Sequence, residues 1–237
     1  MNYEPSTMNL LNLIFPKFCV GCNRFGTYFC AKCIANISQK DLICPNCYKS
    51  AIGGTTHPLC KKRYGLDGLW SLGAYQDSLK KAIKKLKYRL VSDLTLDLVD
   101  LMVEYWAKNT PQFLDEIKKD KGVGWVVVPV PLHPKRQNYR GFNQSGSLGR
   151  MIAGKLGLEY SEVLQRIRHT KPQAELNSWE RRKNTHNAFA LSRSYKLEPS
   201  SYLLVDDIWT TGSTLKECCY VLKRVGAKKV WAITLAR

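Results

Sequence analysis

Apolar runs and amphipathic stretches alternate along the C-terminal two-thirds of the chain. Leu69–Tyr75 is a short apolar run and reads as a strand. In Ser78–Leu90 the apolar residues Leu79, Ala82, Ile83, Leu86 and Leu90 recur at helical spacing. A second helix is predicted from Ser92, with Ser92 and Asp93 as candidate caps, to Trp106. Trp125–Val130 is continuous, apolar and β-branched, the pattern of a strand buried on both faces of a parallel sheet. Phe142–Leu156 carries Leu148, Ile152 and Leu156 on one helical face. Tyr202–Val205 reads as another buried strand, Thr214–Val225 as a helix and Val230–Leu235 as the last strand. Strands that alternate with helices predict an α/β domain with a mostly parallel sheet flanked by helices.

The first 68 residues are different. They are rich in Cys, Gly and Lys and hold few long periodic segments. Such a segment buries little apolar surface and needs a staple such as a metal. The pattern therefore divides the chain into a cysteine-rich module, 1–68, and an α/β domain, 69–237. The polar stretch Arg166–Asn187 is either a flap over the domain or a surface connection with a short helix.

Composition supports this division. Hydrophobic residues are 44% of the 237, enough to form a core. Seven of the nine cysteines lie between Cys19 and Cys60, six of them in C-x-x-C pairs, rather than spread over a whole domain. That clustering favours metal in a reducing compartment over a disulfide framework. The run Leu10–Phe15 is too short for a secretory signal. No stretch approaches the roughly 20 apolar residues that span a bilayer. A cytoplasmic protein without membrane insertion is expected.

Cys19, Cys22, Cys30 and Cys33 form two C-x-x-C knuckles, and four thiolates suit a tetrahedral zinc. Cys44, Cys47 and Cys60, with His57, are a candidate second zinc set. Interleaved pairing of the two groups is also compatible with the spacing. Neither set includes an obvious open position, so a structural role is expected. Cys218 and Cys219 fall on a predicted helix and read as small buried residues.

The net charge is +18, which favours anionic partners. Lys80, Lys81, Lys84, Lys85, Lys87 and Arg89 put six cations into ten residues of one predicted helix. Such a face can follow a phosphate backbone, with Tyr75 and Tyr88 near enough to stack on bases. It can equally be a solvated face.

The sharpest local pattern is Leu203-Leu204-Val205-Asp206-Asp207-Ile208-Trp209-Thr210-Thr211-Gly212-Ser213-Thr214. A buried strand delivers two carboxylates, and a hydroxyl-rich loop then opens a helix. A helix N-terminus offers unpaired N–H groups and partial positive charge to a phosphate. Gly212 permits close approach, and Thr210, Thr211, Ser213 and Thr214 bring hydroxyls. Asp206 and Asp207 can accept from two neighbouring sugar hydroxyls. The pattern resembles the signature of the type I phosphoribosyltransferases. That resemblance implies ribose hydroxyls on Asp206 and Asp207 and a 5′-phosphate on the loop.

A proline- and arginine-rich segment, Pro129–Gln144, is read as a loop that presents Arg136 and Arg140. Its Arg140-Gly141-Phe142-Asn143-Gln144, with Gln173, Leu176, Arg181, Asn184 and Ala188-Phe189, resembles the ComF family of DNA-uptake competence proteins. Members often have a further C-x-x-C where this chain has Arg63, a departure that bears on the second zinc. The resemblance implies binding of 5-phosphoribosyl 1-pyrophosphate with Mg²⁺, the pyrophosphate meeting Arg136 and Arg140. If the chain is an enzyme, it implies phosphoribosyl transfer with an acceptor hood at Arg166–Asn184. The alternative is a non-catalytic sensor or single-stranded DNA-binding protein, with a competence helicase or recombination protein as partner.

Overall fold

The computed structural model describes residues 16–88, 92–121, 124–168, 177–192 and 200–237, with the side chains of Tyr88, Ser92, Ser178, Arg181 and Arg182 excepted. Leu10, Phe15, Arg89, Leu90, Gln173 and Leu176 lie outside them.

Five parallel strands form the central sheet: β1 (Gly68–Gly73), β2 (Trp125–Pro129), β3 (Glu159–Tyr160), β6 (Ser201–Ile208) and β7 (Val230–Ala236). Their spatial order is β1-β7-β6-β2-β3. The three longest apolar runs become the three central strands, since only residues such as Val127, Leu203 and Trp231 can be dry on both faces. β6 runs three residues past the predicted strand, because β7 pairs with it to Ile208↔Ala236. A small antiparallel pair, β4 (Leu164–Arg166) and β5 (Phe189–Leu191), stands apart from this sheet.

Helices cover both faces. On one lie α2 (Asp77–Tyr88), α3 (Ser92–Lys108), α4 (Gln112–Lys119) and α6 (Gln144–Leu156). Their apolar stripes, among them Leu79, Ile83, Leu98, Phe113 and Ile152, meet Trp70, Val127, Leu203 and Trp231. On the other face α8 (Ser213–Arg224) packs Leu215, Cys218, Cys219 and Leu222 against Tyr202, Leu204 and Ala232. Both late cysteines are buried, as a small apolar side chain would be. The short α1 (Ala31–Ala35) belongs to the cysteine-rich segment, and α7 (Ser178–Thr185) to the polar stretch before β5. Cys19, Phe29, Cys33 and Ile37 are part of the same core as α2 and β1.

One expectation is overturned. Pro134–Arg140 is a helix, α5, rather than a proline-stiffened loop. Pro134 stands at the first helical position, where its missing N–H costs nothing, and His133 accepts from Lys135 N–H as a cap. Gly141, left-handed at φ 76°, ends α5, and Asn143 starts α6 by accepting from Ser145 N–H.

The sheet edge is tightly fitted at Gly68. A Cβ there would lie 2.2 Å from the Trp231 ring. Gly68→Ala is expected to cost about 1–3 kcal/mol through overpacking. Urea denaturation measures it, and an unchanged midpoint would contradict the packing described.

Candidate phosphoribosyl and metal sites

The carboxyl end of β6 opens into a cavity of about 330 Å³, where open α/β sheets place ligands. Asp206, Asp207, Thr210, Gly212, Ser213 and Thr214 line it, with Tyr75 and Lys87 opposite. The strand and loop residues singled out from sequence are thus brought together, except Thr211, which is not in this lining. Arg136 and Arg140 are not in this lining. Arg140 connects to it indirectly, since its guanidinium donates to Gln144 Oε1 at 3.2 Å.

The acid pair is held by groups that the sequence does not tie to it. Ser145 Oγ donates to Asp206 Oδ1 at 2.9 Å, as does the Asp207 backbone N–H. Gln144 Nε2 donates to Asp207 Oδ2 at 3.4 Å, and Lys87 Nζ pairs with the same oxygen at 2.9 Å. The first turn of α6 therefore braces both carboxylates. This gives the motif Arg140–Gln144 a mechanical sense: a helix stop, a helix start and an arm to the acids. Lys87 leaves the lysine run for the cavity because it follows Ile83 by one helical turn, on the flank of the buried stripe. Burial, then the Asp207 charge, pushes the Asp206 carboxyl up to about 7, against the Ser145 hydrogen bond and Lys87, which lower it.

The loop is shaped by Gly212, left-handed at φ 66°. A Cβ there would stand 2.2 Å from the Trp209 indole, so both conformation and space require glycine. No side chain of residue 212 caps α8, and Thr211 Oγ1 turns to Ser213 Oγ at 3.1 Å. The start of α8 thus faces the cavity with its backbone dipole and hydroxyls. Arg166 is a further cation near the acids. It is 7% exposed, lies over the Phe189 ring, and burial and the Arg136 charge lower its pKa.

The two cysteine groups assemble separately, not interleaved. Cys19, Cys22, Cys30 and Cys33 form one cluster and Cys44, Cys47, His57 and Cys60 the other, with ligand atoms within 4.8 Å of one another in each. A tetrahedral ion with bonds of about 2.3 Å needs sulfurs roughly 3.8 Å apart, so both sets fit a metal. His57 Nδ1 faces Cys47 Sγ at 3.3 Å while Nε2 meets the Ser50 carbonyl at 3.0 Å. An Nε2–H donated to that carbonyl leaves the Nδ1 lone pair for a metal. Burial raises the Cys19 pKa, but backbone N–H groups of Cys22, Cys30 and Gly21 outweigh it and bring the thiol to about 6. Cys44 is brought to about 7 in the same way by Cys47, His57 and Asn46.

Of the basic run, Lys81 donates to the Gly21 carbonyl at 2.9 Å, and Lys85 lies 4.9 Å from the Tyr28 ring centre. Lys80 lies 5.8 Å from that of Tyr75, and Lys84 is exposed. A second cavity, about 670 Å³, lies between the second cysteine cluster and α8. It combines Tyr48, Tyr64 and Tyr220 with Lys62, Arg63 and Lys216.

A parallel sheet with an acid pair and a hydroxyl-rich loop at its carboxyl end defines a phosphoribosyltransferase-type domain. The family model described as "Phosphoribosyl transferase domain" matches residues 147–237. "DNA utilization protein YhgH" of Salmonella typhimurium is 30% identical over 219 residues, covering 88% of this chain and 89% of that protein. "Competence protein ComFC" of Streptococcus pneumoniae is 30% identical over 198 residues, 82% and 80% of the two chains. "Competence protein F" of Haemophilus influenzae is 28% identical over 223 residues, 92% and 90% of the two. The chain belongs to the ComF family.

Removing the Ser145 hydroxyl takes away a hydrogen bond that favours the Asp206 carboxylate. Ser145→Ala is expected to raise the Asp206 pKa further, read by carbon-13 NMR of the carboxyl. A lowered value would contradict the geometry.

Proposed function

We propose that this protein binds 5-phosphoribosyl 1-pyrophosphate with Mg²⁺ and serves DNA uptake or DNA metabolism. The observation that carries the reading is one cavity shared by Asp206, Asp207, Thr210, Gly212, Ser213 and Thr214. Asp206 and Asp207 accept from the ribose 2′- and 3′-hydroxyls. Hydroxyls and backbone N–H groups at the start of α8 take the 5′-phosphate. Arg136 and Arg140 meet the pyrophosphate once it extends beyond the cavity. The relatives' names, competence and DNA utilization, support the pathway. Zinc in each cysteine cluster is structural, joining the module at 1–68 to the domain at 69–237.

Phosphoribosyl transfer is the chemistry this arrangement suits. The pyrophosphate leaves from sugar C1 and the charge that develops is met by fixed groups, so placement matters more than a nucleophile. The described parts of the proposed hood are Arg166–Arg168 and 177–184. No helix among the described residues is long and apolar enough to cross a membrane.

Binding depends on pH in a defined direction. The raised Asp206 pKa favours the neutral acid in the free protein. Stability from this group is fully present below about 4 and is lost as pH rises through about 7. Ribose hydroxyls donate to the carboxylate, so affinity rises over the same interval. Asp206→Asn with Asp207→Asn is expected to weaken 5-phosphoribosyl 1-pyrophosphate binding roughly 100-fold. The ligand-induced rise in melting temperature reads this. A folded double variant with full affinity would overturn the sugar assignment.

A second reading, single-stranded DNA binding, is favoured by the tyrosine- and cation-lined groove beside α8. Aromatic faces stack on bases and cations follow the backbone. Two sets of alanine variants separate this groove from the lysine helix: Tyr64 with Tyr220, and Lys80, Lys81, Lys84 with Lys85. Each surface that carries DNA should lose affinity for labelled oligothymidine, and loss of the lysines should flatten the salt slope. No change in either set would remove the reading.

A further inference from the structure

The second cysteine cluster and the phosphate loop are joined by one side chain. Tyr48 follows Cys47 directly and stands at φ 63°, in the left-handed region. Its N–H donates to the Cys44 carbonyl at 2.9 Å, and Cys44 N–H donates to the Lys49 carbonyl at 2.9 Å. These bonds close the Cys44–Lys49 turn, so Tyr48 is placed by the same turn that places two of the four cluster ligands. From there its hydroxyl donates to the Thr211 carbonyl at 3.0 Å, across 163 positions of sequence. Lys216 Nζ, from the first turn of α8, donates to the Tyr48 oxygen at 2.8 Å. The same ammonium lies 4.6 Å from the Tyr48 ring centre and 5.6 Å from that of Trp209. Trp209 in turn is the residue against which Gly212 is packed.

Thr211 and Gly212 are the points where the loop reverses into α8. Their backbone direction fixes where the helix N–H groups aim. A hydrogen bond on the Thr211 carbonyl therefore orients the peptide that joins Thr211 to Gly212. We propose that Tyr48 is a positioning residue for the phosphate loop, so that metal held by Cys44, Cys47, His57 and Cys60 sets the affinity of the phosphoribosyl site. The affinity part rests on the function proposed above. The mechanical part, that Tyr48 orders the loop, does not.

The test uses the full-length, zinc-replete chain and the variant Tyr48→Phe. Phenylalanine keeps the ring under Lys216 and the Cys44–Lys49 turn, and removes only the hydroxyl. Amide hydrogen exchange across 209–214, without ligand, is expected to quicken in the variant while zinc content and melting temperature stay at wild-type values. Calorimetry with 5-phosphoribosyl 1-pyrophosphate and Mg²⁺ is expected to show affinity weakened about 3- to 10-fold, the worth of one hydrogen bond. Cys60→Ser, which takes away one ligand, should quicken exchange in the same segment. Adding Tyr48→Phe to it should change little further, because both act through one brace. Unchanged exchange at 209–214 in Tyr48→Phe overturns the proposal, whatever the ligand does. Quickened exchange with unaltered affinity leaves the brace and overturns its control of the site. A wild-type chain that binds no 5-phosphoribosyl 1-pyrophosphate, yet shows the exchange difference, sinks the proposed function and not the brace.

Discussion

Two adjacent carboxylates at the end of a dry parallel strand are costly unless every neighbour answers them. Asp207 is buried and Asp206 half-buried at the edge of a core in which Leu203, Leu204 and Val205 are almost wholly hidden. The surrounding elements converge on that demand. α6 starts where its Gln144 and Ser145 can donate to the pair, α2 brings Lys87, and α8 turns its N-terminus to the same space. The arrangement leaves Asp206 inclined to hold its proton.

The cysteine-rich segment is not an appendage to this core. Cys19, Cys30 and Cys33 pack with Leu79, Ile83 and Leu86 of α2, the helix that also carries Lys87. Tyr48, beside the second cluster, reaches the phosphate loop. A segment too poor in apolar residues to fold by burial is thus tied at two places to the machinery of the cavity. One cysteine cluster stands behind each of them.

What could be read in the sequence was local. The strand Tyr202–Val205, the acids and the hydroxyl loop are contiguous, and buried strands announce themselves by unbroken β-branched and leucine runs. The cysteine sets were legible from spacing, and the structure removed the interleaved alternative by placing the ligand atoms in two separate groups. Contacts between distant segments were not legible. Ser145 and Gln144 acquire their role only because α6 docks against β6, and Tyr48 because the second turn of cysteines lies against α8. Lys87 was hidden in a run of like charges whose other described members stand at the surface or over aromatic rings. α5 was misread because Pro134 signals a loop as readily as a first helical residue, and α4 is a two-turn helix set by the burial of Phe113 and Ile117.

The proposed function requires the acid pair and the 210–214 loop to form one working site for a phosphorylated ribose. Calorimetric titration of the zinc-replete wild-type chain with 5-phosphoribosyl 1-pyrophosphate and Mg²⁺ tests it most directly. The account predicts saturable binding of one ligand per chain that tightens as pH rises through about 7. A folded, metal-loaded sample that takes up no ligand at any pH would contradict it.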